Sequence, residues 1–476
     1  MTELIRIDYR DKLTVAIDPA TAKDFDDAIS FEVLSNNNYE VGIHIADVSH
    51  YVKHGSDIDK DAREKTTSTY LVGKVLHMLP TSLSENECSL REGENRLAFS
   101  VVFELDSDAN IINKKFTKST LRVDHGLSYK QAQDILDSKT PTPKPCFGVG
   151  VGGELRDALQ TLMQLSLKIR TKRTQRGAIG FNTIEVEFEF DSDGEVTGAK
   201  AKKYLPTMGM IEDFMLLANE AVAEYISAKC EGNKDCMGIY RVHDKPNIEK
   251  IEELNVFLRA IGHPIKINKD GTVNSLSINK VLNAIKNSPY EKVVNTAILR
   301  SMAKATYTHR NIGHFSLGFK DYTHFTSPIR RYPDIMVHRI LASLLSGKKL
   351  GKHELEAYQK LAQISTEKEI EAVKAERASV KEALTILMAD KVGQIFTGEI
   401  TGVTDFGIFV SEINTRAEGM VHISKLPGAD YYELDAKHFQ LIGKRTKNKY
   451  QIGQQVKVKL RKADPKTSQI DWQIIT

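Results

Sequence analysis

Residues 18–27, Asp18-Pro19-Ala20-Thr21-Ala22-Lys23-Asp24-Phe25-Asp26-Asp27, place four carboxylates in one short segment directly after an apolar run of Leu13, Val15 and Ile17. Any fold built on this chain must relieve the repulsion among them, either by leaving a solvated acidic turn or by lodging a cation there. A hard cation such as Mg²⁺ prefers oxygen ligands. An EF-hand calcium loop fits badly, because its Gly and Glu positions are occupied here by Lys23 and Ile29. A two-metal phosphoryl-transfer site fits better: one ion activates water, the other stabilises the leaving oxygen, and substrate phosphate completes the ligand shells.

The rest of the chain limits what could surround such a site. At 476 residues it is long for one domain, and 41% hydrophobic residues suffice for real cores. A formal net charge of +3 means that any attraction to nucleic acid must come from local patches. Cys88, Cys146, Cys230 and Cys236 form no C-x-x-C pair and suit neither a zinc site nor a disulfide framework, so reduced thiols are expected. The charged start, Met1 to Arg6, lacks the apolar core of a signal peptide, and no later stretch approaches a membrane span. The expectation is a soluble, cytoplasmic protein without a membrane partner.

The pattern up to about Asp390 predicts a mixed α/β domain. Tyr39 to Ile45 alternates and Val101-Val102-Phe103 is continuously apolar, as strands are. Tyr129 to Arg176 reads as helix around a Pro/Gly-rich surface loop, from Pro141 to Gly153. Ile184 to Phe190 alternates again, whereas Glu212 to Lys229 and Ile251 to Ile261 carry apolar residues at helical spacing. A long Glu/Lys/Ala/Leu helix from Lys352 to Lys391 stops at Gly393, which sets the boundary between domains 1–390 and 391–476.

Beyond it, five short strands separated by turns predict an all-β barrel of the oligonucleotide-binding type: Ile395 to Thr401, Gly407 to Val410, Gly419 to Ile423, Gln455 to Arg461 and Ile470 to Ile475. Lys444 to Lys466 is strongly basic. With Phe396, Phe406, Phe409 and His422 nearby, it supplies the cations and flat faces that single-stranded nucleic acid requires, although some of these aromatics belong in a barrel core.

A second segment, Tyr322-Thr323-His324-Phe325-Thr326-Ser327-Pro328-Ile329-Arg330-Arg331-Tyr332-Pro333-Asp334, pairs two arginines in a proline-stiffened loop. It is either a basic surface turn or, joined to the acidic cluster, the cationic clamp of a phosphoryl-transfer site.

These segments, together with His44-Ile45-Ala46-Asp47-Val48-Ser49-His50, Cys88-Ser89-Leu90-Arg91 and Ile211-Glu212-Asp213-Phe214-Met215-Leu216-Leu217-Ala218-Asn219, closely resemble the ribonuclease II/ribonuclease R exoribonuclease family, in the same order along the chain. Asp405-Phe406-Gly407-Ile408-Phe409-Val410 and Glu418-Gly419-Met420-Val421-His422-Ile423-Ser424 resemble an S1 RNA-binding domain. Arg331 and the Tyr431-Tyr432 pair resemble the ribonuclease R branch. The resemblance implies processive 3′-to-5′ hydrolysis of RNA to nucleoside 5′-monophosphates with two Mg²⁺ ions, Mn²⁺ being an alternative.

It further implies Asp18 and Asp27 as direct metal ligands and Asp24 as a direct or water-mediated one. Asp26 is the acid most tightly tied to cleavage, through the second metal and the attacking water. Arg330 would steady the scissile phosphate. Tyr70 and Phe181 would stack the terminal bases, and Tyr129 with Glu212 would recognise the ribose. Arg331 and the barrel residues Phe406, Phe409 and His422 would contact RNA. His309, His314, His324, His338, Asp47, His50 and Cys88 read as structural.

Typical members carry two cold-shock barrels before the catalytic domain and a lysine-rich tail after the S1 domain, and this chain shows neither. Weaker, more salt-sensitive RNA capture is therefore expected. Two rivals stand beside this reading: a noncatalytic RNA-binding protein of the same fold, and an enzyme closer to ribonuclease II that stalls ahead of duplex. A monomer without an obligate protein partner is expected.

Overall fold

The computed structural model describes residues 4–137, 152–180, 185–233, 236–288, 290–435 and 438–475. A seven-stranded mixed sheet organises the N-terminal domain, in the spatial order Arg6–Asp8, Ile111–Arg122, Asn95–Leu105, Tyr39–Ala46, Asp27–Val33, Thr14–Asp18 and His125–Ser128. Both edge strands run parallel to their neighbours, and the pairs between them are antiparallel. Thr14–Asp18 is buried over its first four residues and emerges at Asp18, so the acidic segment begins where a core strand ends.

The helix Pro206–Cys230 stacks Phe214, Ala218, Val222 and Ile226, each fully buried, at four-residue spacing into the core shared with this sheet. Proline at its start lies where a missing N–H costs no helical bond. The helix Tyr332–Leu345 follows the two-arginine loop and is buried continuously from Tyr332 to Leu341, which makes that loop a rigid mount. A smaller core joins the helices Ile248–Ala260, Ser275–Ile285 and Glu291–Ser301.

The 38-residue helix Lys352–Ala389 puts Tyr358 and Ala362 into the first core and Leu384 and Met388 into the second, that of the C-terminal barrel. Gly393, at φ +93°, turns the chain into the first barrel strand. The closed five-stranded barrel runs Ile395–Thr404, Gly407–Glu412, Glu418–His422, Gln469–Ile474 and Gln455–Asp464. The sequence predicts these five strands but not the three-stranded sheet Tyr432–Asp435, Gln440–Gly443 and Lys449–Gln451 in the basic connection.

The expected Pro/Gly-rich loop falls mostly outside the described residues, and its last two glycines instead open the helix Gly152–Gln175. The thiol expectation also needs correcting, since Cys230 and Cys236 form a disulfide at the end of the helix Pro206–Cys230. The chain reversal that brings them together is not readable from their spacing. Cys88 is free and buried, as expected.

Candidate active site

Residues from distant parts of the chain converge on one cleft of about 450 Å³, lined by Asp18, Asp24, Asp26, Asp27, Tyr70, Tyr129, Glu212, Arg330 and Arg331 among others. The acidic segment is fixed by its own backbone. Ser89 Oγ accepts from the Phe25 N–H (3.0 Å) and donates to the Lys23 carbonyl (2.7 Å), while the Leu90 N–H donates to the Phe25 carbonyl (2.9 Å). The Asp26 carbonyl accepts from the Ala46 N–H (2.8 Å). These bonds explain why the Cys88 to Arg91 segment belongs to the site without contributing a reactive group.

Asp26 is buried, and its Oδ1 accepts the Ile329 N–H at 2.8 Å. Its Oδ2 lies 3.9 Å from Arg330 Nε. Arg330 donates from Nη2 to Ser327 Oγ at 3.0 Å and keeps its side chain 42% exposed, so part of the guanidinium remains open to the cleft. Its carbonyl accepts from the Ser68 N–H at 3.0 Å, which ties the loop to the hairpin bearing Tyr70. Arg331 is only 15% exposed and donates to Asp334 Oδ1 at 2.8 Å, so its guanidinium already has an internal partner.

Asn219 completes the loop's support. Its Oδ1 accepts from the Phe325 N–H at 2.8 Å, and its Nδ2 lies 3.4 Å from Thr326 Oγ1. Sequence reading included Asn219 in a motif without giving it a role. A lone amide at helical spacing from Met215, Leu216, Val222 and Ala223 is the feature that could have marked it.

Burial drives the electrostatics of the acids. It raises the carboxyl of Asp18 to about 8, with Asp27 and Asp24 adding repulsion and Arg330 opposing. It raises Asp27 to about 7 against the pull of Arg330 and Arg331. Asp26 is pushed well above the usual carboxylate range, again by burial first, against Arg330 and the Ile329 N–H. Asp18 Oδ2 is buried with no hydrogen-bond partner. An acceptor stranded among mutually repelling carboxylates suits a hard divalent cation. Among the described residues, no three such side chains already form a cage, so water and a phosphate would have to complete the shell.

Tyr70 is 38% exposed on the hairpin Thr69–Leu71/Lys74–Leu76 and donates from its hydroxyl to Asp24 Oδ2 at 2.7 Å. Its backbone N–H donates to Glu376 Oε1 at 3.0 Å, and the Val72 N–H to Ser379 Oγ at 3.0 Å, so the long helix holds the hairpin. Tyr129 opens the helix Tyr129–Leu136 behind a Ser128/Gln131 capping box. Glu212 is 54% exposed, 3.8 Å from Arg173 Nη1. Pro19, Tyr129, Met208 and Glu212 also border a second cavity of about 1100 Å³, which continues the cleft. Phe181 lies outside the described residues.

On the barrel, Phe406 is exposed, Phe409 is half-buried with its ring centroid 6.2 Å from that of Phe406, and His422 is exposed on the paired strand. Between the two strands Gly407 leaves no room for a side chain, since a Cβ would stand 2.3 Å from the Val421 carbonyl. Phe396 departs from the aromatic face and packs edge-on against buried Trp472. The expected structural residues are internally bonded. Asp47 pairs with Arg6 and Lys118, His324 bonds the Tyr307 hydroxyl, and His338 bonds the Phe325 carbonyl.

A mixed sheet with an acidic cleft faced by an arginine, joined by one long helix to a closed five-stranded barrel, defines a two-domain protein: a mixed α/β domain followed by an S1-type barrel. Residues 6–347 match the RNB domain and residues 389–474 the S1 RNA binding domain, and the chain belongs to the RNB domain family. Ribonuclease R 1 of Lactococcus lactis is 37% identical over 99% of this chain and 56% of its own length. The chain spans 56% to 65% of the length of that relative and of the ribonuclease R proteins of Thermotoga maritima and Aquifex aeolicus. The structure of Mycoplasma genitalium RNase R in complex with ribose methylated single-stranded RNA superimposes with a TM-score of 0.87 at 30% identity, over 99% of this chain and 72% of that one. The structure of yeast Ssd1, described as a pseudonuclease, shares the fold at 21% identity and a TM-score of 0.72, over 92% of this chain and 52% of that one.

Proposed function

We propose that this chain is a Mg²⁺-dependent exoribonuclease that shortens RNA processively from its 3′ end and releases nucleoside 5′-monophosphates. The observation that carries this reading is the convergence of Asp18, Asp24, Asp26, Asp27 and Arg330 on one cleft whose other walls hold Tyr70, Tyr129 and Glu212. RNA as the ligand is supported by the RNA complex of the Mycoplasma genitalium relative and by the match to the S1 RNA binding domain.

Asp18, Asp24, Asp26 and Asp27 would hold the metal, and Mg²⁺ when bound supplies the charge that acidifies water and neutralises a leaving oxygen. Arg330, anchored on Ser327, presents its remaining donors to the oxygens of the terminal phosphodiester, where charge grows during attack. Water oxygen bonds to phosphorus, the bond to the 3′ oxygen of the preceding nucleotide breaks, and the shortened chain keeps a 3′-hydroxyl. Asp26, with Oδ1 committed to Ile329, has Oδ2 left for this chemistry. The Tyr129 hydroxyl and the Glu212 carboxylate are suited to a ribose 2′-hydroxyl, which selects RNA over DNA. The Tyr70 ring stacks a base without regard to its identity. Phe406, Phe409, His422 and the lysines of Gln455–Asp464 draw in the strand.

A noncatalytic RNA-binding protein would share the fold, but the complete set of acids and Arg330 argues against it. The test is a time course on 5′-labelled single-stranded RNA with Mg²⁺, beside the matching DNA. Stepwise shortening of RNA alone with release of 5′-monophosphate is the expected result, and intact RNA, or equal attack on DNA, contradicts the proposal.

A further inference from the structure

A separate cavity, of about 380 Å³, shares no lining residue with the acidic cleft. It lies among the strand Arg6–Asp8, Lys118 of the neighbouring strand, the turn Val48–Tyr51 and the C-terminal end of the helix Tyr332–Leu345. Its charge is strongly one-sided. Arg6, Lys53, Lys118, Arg339, Lys348 and Lys349 face it, against the carboxylates of Asp47 and Glu354.

The internal pairing leaves that excess in place. Asp47 is fully buried and serves two cations, Arg6 at 2.7 Å and Lys118 at 2.5 Å. Lys118 is itself buried, with its ammonium also 3.2 Å from Ser49 Oγ. Arg339 is met from behind by Asp59 at 2.7 Å, but Asp59 also takes Arg63 at 2.7 Å. Glu354 is engaged by His54 (3.2 Å) and by the Tyr358 hydroxyl (2.6 Å). Lys53 and Lys348 are exposed on the rim, and among the described residues neither has an acidic partner.

His50, which also lines the cavity, adds a donor. Arg6 Nη2 lies 3.3 Å from His50 Nδ1, and because a guanidinium only donates, that nitrogen accepts and the proton sits on Nε2. The field in the cavity is felt by its own groups: burial first, then Lys53, Arg6 and Lys118, hold the His50 imidazole below its ordinary value against Asp47. Cations gathered in a concave, partly desolvated site attract a compact multivalent anion. The volume suits a small molecule, and Leu4, Ala342 and Leu350 add apolar wall.

We propose that this cavity binds a phosphate-bearing small molecule of mononucleotide size, its phosphate held by the exposed Lys53 and Lys348 and by His50. The site is separate from the acidic cleft, and its existence does not depend on the activity proposed above.

The test is isothermal titration of the full-length chain with adenosine 5′-monophosphate and, separately, inorganic phosphate. EDTA is present throughout and Arg330→Ala is in the background, so that the acidic cleft offers phosphate neither metal nor guanidinium. Saturable binding is expected, weakened at least about tenfold by Lys53→Gln/Lys348→Gln, since each removes a charge-assisted contact. Both lysines are exposed, so the fold is retained, and the same pair of substitutions without Arg330→Ala leaves RNA shortening unchanged. If adenosine 5′-monophosphate binds more than about tenfold tighter than phosphate, the site takes a nucleotide; comparable affinities mean that it reads the phosphate alone. Absence of saturable binding by either probe, or binding unaffected by the lysine substitutions, overturns the proposal.

Discussion

Asp26 Oδ1 accepts the backbone N–H of Ile329 at 2.8 Å, joining residues 303 positions apart. This bond fixes the acidic segment to the loop carrying Arg330, whose Nε lies 3.9 Å from the other oxygen of the same carboxylate. Asp26 therefore has a positioning duty as well as a chemical one, and the two are separable by substitution.

Asp26→Asn keeps an oxygen that can accept from Ile329, whereas Asp26→Ala leaves a buried N–H unpaired. The alanine variant should be less stable than the asparagine variant by about 1–3 kcal/mol. Thermal or denaturant melts of both in EDTA measure this difference; equal stabilities would mean that the bond carries no weight.

Without divalent cation, stability should fall as pH rises through the neutral range. Burial raises Asp18 to about 8 and Asp27 to about 7 from an ordinary 3.8. Between those limits the native state binds more protons than the unfolded chain, so the penalty is absent below pH 3.8, grows as pH rises and is complete above about 8. Asp47 and Asp59, both depressed, act oppositely but only in acid, where their protonation destabilises the fold. Melting curves at about pH 5 and about pH 8 should differ by several degrees. Asp18→Asn/Asp27→Asn should flatten the difference, and Mg²⁺ should stabilise the wild type more at the higher pH.

Tyr70 separates stacking from hydrogen bonding. Tyr70→Phe retains the ring and removes the bond to Asp24, so KM for RNA should stay within about threefold of wild type. Tyr70→Ala removes the stacking face, worth about 1–3 kcal/mol per base, and should raise KM at least fivefold. Steady-state kinetics on one oligonucleotide distinguishes these outcomes; equal losses would deny the ring a stacking role.

The adjacent arginines should fail in different ways. Arg330→Ala should lower kcat by about 10²–10³-fold with little change in melting temperature, because its exposed donors act on growing charge. Arg331→Ala should instead destabilise the protein by about 3–5 kcal/mol by leaving buried Asp334 without its cation. Melting and kinetics on both variants would expose a reversed assignment.

Elements with strong periodicity were legible in the sequence. The long helix and all five barrel strands lie close to where apolar spacing and glycines put them, and the helix expected from Glu212 is present but opens earlier, at Pro206, because local patterning and tertiary burial agree in these elements. The cleft was legible as a set of segments but not as a geometry. No spacing rule brings Asp26 to Ile329, commits Arg331 to Asp334 or gives Asn219 the loop to hold, since these are contacts between distant parts of the chain. The three-stranded sheet between Tyr432 and Gln451 was hidden by its brevity: strands of three or four residues, the last two separated by Lys444, Arg445 and Lys447, offer too short an alternation to stand out from a basic loop. Cys230 and Cys236 were misread because a six-residue separation matches no motif, whereas the chain reversal after the helix determines the pairing.

The most direct test is to measure RNA binding and RNA shortening side by side on the wild type and Asp26→Asn, with Mg²⁺ and a 5′-labelled single strand. The account predicts nearly equal affinity for the two proteins, stepwise shortening to 5′-monophosphate by the wild type, and no detectable product from the variant. Undiminished cleavage by Asp26→Asn, or loss of binding in parallel with loss of cleavage, would contradict it.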